Sequence, residues 1–155
     1  MPVRPLRHFL DLCEVPYRAY NHPPTYTAQE TAHQLHISGY EVAKTVILKV
    51  DGRFVMAVLA ACEQIDLERF KAQVDATLVE LATEKDMELL APYCDKGSIP
   101  PIGNLFGLPV YVSTTLTKDE IIAFNAGNHT EDIRMFYRDF ETLVQPRIMD
   151  FSRLH

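Results

Sequence analysis

The run Ala43-Lys44-Thr45-Val46-Ile47-Leu48-Lys49-Val50-Asp51-Gly52-Arg53-Phe54-Val55-Met56-Ala57-Val58-Leu59-Ala60-Ala61 decides how the chain folds. Residues 43–50 are rich in β-branched and aliphatic side chains and read as a strand. Asp51-Gly52 is a hairpin turn, because both residue types tolerate the positive φ that a tight turn demands. Residues 53–61 form the return strand, apolar at almost every position from Phe54 to Leu59. A strand of that kind is covered on both faces and belongs in the middle of a sheet. Side chains alternate along the first strand, so Lys44 shares a face with Val46, Leu48 and Val50, and Lys49 shares the other with Ala43, Thr45 and Ile47. A lysine at the end of an apolar face either snorkels to water or lines a polar pocket. In the second case its ammonium would hold an anionic or carbonyl oxygen.

Outward from this hairpin the pattern is mixed. Leu6, Phe9, Leu10 and Cys13 lie on one helical face over residues 5–13, and Pro16 stops that helix. Residues 17–20 are a short extended segment closed by His22-Pro23-Pro24. Thr27-Ala28-Gln29-Glu30 is a capping box, opening a helix to about Leu35. Asp66 caps a helix through about Gln73, and Thr83 caps another through about Ala91. Residues 93–106 are irregular. Residues 108–112, 121–125 and 133–137 read as strands, and Asp139 caps a last short helix over 140–144 that Pro146 ends. Strands and helices do not alternate regularly. The expected fold is therefore a mixed α/β (α+β) domain spanning 1–155, with a mixed sheet and flanking helices rather than a doubly wound parallel sheet.

Composition sets limits on function. The chain has 155 residues, 47% of them hydrophobic and 23% charged, with a formal net charge of -6. That excludes a disordered regulator. No apolar run is long enough for a bilayer span, and Arg4, Arg7, His8 and Asp11 interrupt any signal-peptide core, so the expected location is cytoplasmic, with no membrane partner. The acidic balance argues against a protein that coats DNA or RNA, since such proteins carry a basic stripe. Cys13, Cys62 and Cys94 are odd in number and far apart, which excludes a disulfide framework or a zinc ribbon; Cys62 is expected to be buried. His33 and His36 have metal-pair spacing but no partner to complete a site, so neither a metal nor a cofactor is expected. Phosphate-cradling, dinucleotide-binding, nucleophile-elbow and zinc-protease motifs do not occur.

Two loops could carry chemistry. In Gly97-Ser98-Ile99-Pro100-Pro101-Ile102-Gly103, glycines bracket a stiff Pro-Pro. The N–H groups of Gly97, Ser98 and Ile99 could then converge on one carbonyl oxygen, as in an oxyanion site. In Asn125-Ala126-Gly127-Asn128-His129-Thr130, Gly127 and Asn128 suit a turn and place His129 at its tip.

Taken together and in order, Ala43-Lys44-Thr45-Val46, the GSIPPIG loop and Asn125-Ala126-Gly127 followed by Ile133 resemble the YbaK / prolyl-tRNA synthetase-associated domain family over about residues 17–144. The resemblance implies a strongly bent, mainly antiparallel sheet and a pocket for a small aminoacyl group at the 3′ end of tRNA. It implies trans-editing: hydrolysis of the ester of a small mischarged amino acid. Lys44 matches the family's key lysine, Gly97 to Pro101 its G-x-x-x-P loop, and His129 a histidine that some members carry. The expected catalytic set is Lys44, Gly97, Ser98, Ile99 and His129; Thr45, Pro100, Pro101, Gly127 and Asn128 would bind substrate. Thr45 departs from the alanine-editing branch, which has Asn there, and His129 departs from the cysteine-associated branch. The motifs therefore leave the edited amino acid open. The expected partners are the aminoacyl-tRNA acceptor end, bound weakly and salt-sensitively by a rim of Lys44, Lys49, Arg53, Lys96 and Arg134, and an aminoacyl-tRNA synthetase. The alternatives are a non-catalytic binding module of the same fold and a hydrolase of another small ester or amide.

Overall fold

A computed structural model describes residues 4–154. The hairpin forms as expected. Strand β2 (Ala43–Val50) and strand β3 (Arg53–Ala60) pair antiparallel in full register, from Ala43 opposite Ala60 to Val50 opposite Arg53. They are the centre of a five-stranded sheet ordered β5-β2-β3-β6-β9, completed by β5 (Val79–Leu81), β6 (Val110–Ser113) and β9 (Arg147–Met149). The β3–β6 and β6–β9 pairs are parallel; β2 is antiparallel to both its neighbours.

A second, antiparallel sheet is ordered β1-β8-β7, from β1 (Arg18–Asn21), β7 (Ile121–Asn125) and β8 (Glu131–Phe136). A parallel bridge between Val42 and Ala123 joins it to the start of β2. The expected bent sheet is thus built as two sheets hinged at that bridge, and most strand pairs are antiparallel. A small pair, β4 (Glu63–Ile65) with β10 (Ser152–Leu154), completes the β-structure. Strands β4, β5, β9 and β10 were not anticipated. Each is three residues long and owes its conformation to a neighbouring edge rather than to its own periodicity.

Apolar clusters fill both faces of the large sheet, which is why β3 tolerates no polar residue after Arg53. On one face Ile47, Met56, Val58 and Val112 pack against α1 (Arg4–Leu12), through Leu6 and Leu10, and against α5 (Tyr137–Val144), through Phe140. On the other face Leu48, Val55, Ala57 and Leu59 pack against Phe70 of α3 (Leu67–Val74) and against Met149 and Phe151. Asp66 caps α3, and Thr83 with Asp86 forms a capping box on α4 (Glu84–Leu90). Asp139 does not cap α5: the helix starts earlier, at Tyr137, and Phe136 stands at the cap position without a side-chain bond. Tyr137 and Phe140 are drawn into the core, and this burial outweighs the missing cap.

A third cluster, Ala32, Val42, Ala61 and Ala123, seats α2 (Ala28–Gln34) over the junction of the two sheets. Near the end of the Pro-Pro loop the backbone is closely packed. A Cβ on Gly103 would stand 2.5 Å from the Leu108 carbonyl oxygen and would also strike the Val110 side chain. Gly103→Ala is expected to destabilise the protein by about 1–3 kcal/mol, the usual cost of overpacking. Chemical denaturation checks this; an unchanged midpoint would show that the loop yields freely.

Candidate active site

The start of β2, the residue after β3, the end of β7, the first turn of α2 and the Gly97–Ile99 loop enclose one cavity of about 470 Å³. Lys44 and Thr45 line it, together with Gly97, Ile99, Asn125 and Gln29. The snorkelling alternative for Lys44 is not what the structure shows. Its ammonium stays half-buried at the wall, 3.4 Å from the Ala61 carbonyl oxygen to which it donates. Gln29 Nε2 donates to the same oxygen at 3.3 Å. Burial pulls the Lys44 pKa below that of an ordinary lysine, and the nearby buried Glu63 carboxylate works in the opposite sense. Cys62, beside them, is half-buried rather than buried, and desolvation pushes its thiol pKa up, so it adds little charge near neutral pH.

The two loops converge because they are stitched together by backbone hydrogen bonds. Gly127 N–H donates to the Ser98 carbonyl at 3.0 Å, and Asp95 N–H donates to the Gly127 carbonyl at 2.8 Å. Gly97 and Gly127 both have positive φ, +79° and +93°, which a side chain would resist. His129 follows this stitch and stands over Gly97, its Cε1 3.9 Å from where a Gly97 Cβ would lie. Its ring packs on Tyr26 at 4.9 Å. His129 therefore sits beside the loop that lines the cavity, but it is not itself part of the wall.

The expected donor set needs correcting. The Ser98 N–H does not face the cavity; it donates to the Asp95 carbonyl at 3.1 Å, and Ser98 Oγ donates to the same atom at 2.7 Å. Among the described residues, the amides of Gly97 and Ile99 have no acceptor within the protein. Pro100 and Pro101 are buried behind the loop and give it rigidity, and they form no part of the wall. Asn128 spends its side chain on the turn, its Oδ1 accepting from Thr130 N–H at 3.0 Å. Gly127 likewise joins the loops rather than lining the cavity. Of the expected basic rim, Lys96 pairs with Glu84 and Lys49 sits 5.7 Å over the Phe54 ring, while Arg134 lines a different hollow.

Sequence reasoning missed Asn125 as a wall residue. Its Nδ2 donates to Asp132 Oδ1 at 2.8 Å and to Thr31 Oγ1 at 3.4 Å. With both contacts on the amide nitrogen, Oδ1 is the atom left to meet a ligand. Asp132 is fully buried opposite Asn125 across the β7–β8 ladder. Its second neighbour is His22, also buried, whose Nε2 faces Asp132 Oδ1 at 3.3 Å, while Nδ1 lies 2.7 Å from the Pro23 carbonyl oxygen. Desolvation raises the Asp132 pKa, and the contacts to His22 and Asn125 counteract it. The signal for this trio was in the sequence as His22, Asn125 and Asp132, but only strand pairing makes them neighbours. Among the described residues no group of three or more His, Cys, Asp or Glu is placed to hold a metal ion, and His33 and His36 are both exposed.

Known proteins resemble this chain in sequence and in fold. Residues 22–143 match the aminoacyl-tRNA editing domain family. The multifunctional Ser/Thr-tRNA deacylase ProXp-y of Escherichia coli (strain K12) is 31% identical over 117 residues, covering 72% of this chain and 69% of the relative. The proline--tRNA ligase of Geobacillus thermodenitrificans (strain NG80-2) is 33% identical over 81 residues, which are 52% of this chain but only 14% of the ligase. Among solved structures, hypothetical protein APE2540 superposes with a TM-score of 0.87 at 19% identity, covering 97% of this chain and 100% of that one. A proposed trans-editing enzyme for prolyl tRNA synthetase superposes with a TM-score of 0.84 at 17% identity, covering 99% of each chain. At those identities the structures speak for the fold alone.

The bent two-sheet fold is thus shared with those structures. The chain belongs to the aminoacyl-tRNA editing domain family, and hydrolysis of the ester joining an amino acid to tRNA is its chemistry.

Proposed function

We propose that this protein acts in trans in the cytoplasm, clearing a small, wrongly attached amino acid from tRNA, and that Lys44, Gly97, Ile99 and Asn125 perform the work. One observation carries the assignment of roles: a half-buried ammonium, two unpaired backbone amides and an oriented amide oxygen meet at one cavity. The amides of Gly97 and Ile99 hold the ester carbonyl oxygen and stabilise the negative charge that grows on it as water adds. Lys44 holds the ribose or terminal phosphate oxygens and adds positive charge at the same place. Asn125 Oδ1 accepts from the α-ammonium. His129, over Gly97, orients the ribose or the attacking water. Among the described residues no nucleophilic side chain paired with a base lines the cavity; water attacks directly and the tetrahedral intermediate collapses with the ribose hydroxyl as leaving group.

Thr45 bears on the choice of amino acid. It lines the wall, and its Oγ1 is buried without a hydrogen-bond partner. A buried hydroxyl in that state favours a ligand that supplies one. Together with the Ser/Thr-tRNA deacylase relative, this points to seryl or threonyl esters before alanyl or cysteinyl ones. A site built to bond a hydroxyl discriminates strongly against analogues that lack it.

A panel of tRNAs charged with Ser, Thr, Ala or Cys tests the reading. Release of serine or threonine is expected to be fastest. Retained tRNA binding with no turnover of any of the four would instead identify a non-catalytic module.

A further inference from the structure

A second cavity, of about 490 Å³, opens on the same face of the β1-β8-β7 sheet. Strand pairing places Ile121 opposite Phe136, Ala123 opposite Arg134 and Asn125 opposite Asp132. Ile121, Ala123 and Asn125 therefore lie along one face of β7. Asn125 serves the aminoacyl cavity, while Ile121 and Ala123 line the second. On the neighbouring segment Ala43 lines the first cavity and Glu41 the second. Helix α2 stands between them, its C-terminal carbonyl at Leu35 accepting from Arg134 at 3.2 Å.

The walls of this second cavity have a particular chemistry. Tyr17, Tyr20, Phe136 and the exposed Ile121 supply flat or apolar surface. The Arg134 guanidinium lies over the Tyr20 ring, 4.6 Å from its centroid, and its Nε is buried without a hydrogen-bond partner. Glu41 adds an acceptor. Burial, and then the Glu41 charge, raises the nearby Asp119 to about 6. Arg18 and Arg134 offset Glu41 in the wall, so the cavity as a whole favours neither a strong anion nor a strong cation. A neutral, planar ring with an exocyclic amine and a ring acceptor fits better: the amine donates to Glu41, the acceptor takes the Arg134 Nε–H, and the ring packs on the aromatic wall. Cytosine has that edge, and single-stranded RNA is recognised by this mixture of stacking and edge bonding.

We propose that this cavity is a base-binding subsite for the cytosine next to the terminal adenosine of the acceptor end, so that the RNA passes beside α2 from one cavity to the other. The RNA identity rests on the deacylase reading above; the base chemistry rests on the cavity itself. The subsite would let an acidic protein grip RNA through a base rather than through a basic stripe.

Two measurements test this. In the first, CpCpA and adenosine are titrated separately into the isotopically labelled protein and amide and Arg Nε–H shifts are followed by NMR. CpCpA is expected to shift Arg134 and the residues around Tyr20, and adenosine to leave them unmoved. No shift at these positions with CpCpA would overturn the proposal, whether or not the protein hydrolyses anything. In the second, Ile121→Glu, at a partly exposed wall position, and Arg134→Leu are compared with wild type on aminoacyl-tRNA and on a 3′-aminoacyl-adenosine. KM for the tRNA is expected to rise about tenfold or more, with kcat and aminoacyl-adenosine hydrolysis changed less than about twofold. Equal losses on both substrates would assign these residues to the fold or the first cavity and overturn the subsite. If wild type hydrolyses neither substrate, the deacylase reading fails, and the CpCpA titration still decides the subsite.

Discussion

Replacing Lys44 by alanine is expected to lower kcat/KM for deacylation by at least about a hundredfold, equivalent to about 3 kcal/mol of barrier, while the protein stays folded. The activity loss follows from position. The ammonium is the cationic group in the cavity wall, half-buried, where its field is less screened than at the surface. Survival of the fold follows from what the truncation leaves behind. The Ala61 carbonyl keeps its second donor, Gln29 Nε2, and the buried Glu63 keeps its bond from Thr115 Oγ1. The shortened side chain stays on a sheet face already packed with Leu48 and Leu59. Single-turnover assays with a misacylated tRNA, alongside circular dichroism and thermal unfolding, separate the two effects. A folded Lys44→Ala protein with wild-type rates would remove Lys44 from the mechanism.

The second large effect is expected at Asp132, through stability first and activity second. Asp132→Ala deletes the partner that His22 and Asn125 share, in a place from which water is excluded. Leaving buried polar groups without their acceptor costs about 1–3 kcal/mol, because they keep their desolvation penalty. For a domain of this size that corresponds to a fall in Tm of about 3–10 °C. Asp132→Asn keeps the volume and one acceptor oxygen for the Asn125 amide, so it should lose less stability than the alanine variant. Both variants should slow deacylation, since Asn125 is no longer held with its oxygen towards the substrate. Differential scanning calorimetry on the three proteins decides the matter. Equal Tm values would mean that the trio contributes nothing to the folded state and does not orient the cavity.

These effects show why some of the site was readable in the chain and some was not. Lys44 stood out because alternation along the strand puts a charge where an apolar contact belongs, and Thr45 drew notice only through the family resemblance. Gly97 and His129 stood out because glycine and turn residues carry local conformational meaning. Ser98, Pro100, Pro101, Gly127 and Asn128 lie in the same loops and attracted the same reading, but the structure uses them to rigidify and join the loops. Whether a loop amide points at a ligand or at a neighbouring carbonyl depends on partners elsewhere in the chain. Ser98 N–H finds Asp95, whereas the Gly97 and Ile99 amides find no acceptor among the described residues. Asn125 looked like one more turn residue until pairing with β8 set Asp132 beside it.

By itself the amino-acid order determined the local elements that need no distant partner. These are the β2–β3 hairpin with its two covered faces, the capped starts of α2, α3 and α4, and the stiffness of the Pro-Pro loop. Periodicity, capping and fixed backbone angles act within a few residues, so a linear reading captures them. Tertiary structure alone decided which loops meet, which amides remain unpaired, how the Asn125 amide is turned, and that two cavities share one sheet face on either side of α2. Those outcomes depend on contacts between residues a hundred positions apart, such as the pairing of β1 with β8. Such contacts are selected by the burial and hydrogen-bond balance of the whole chain, and no short stretch carries their imprint.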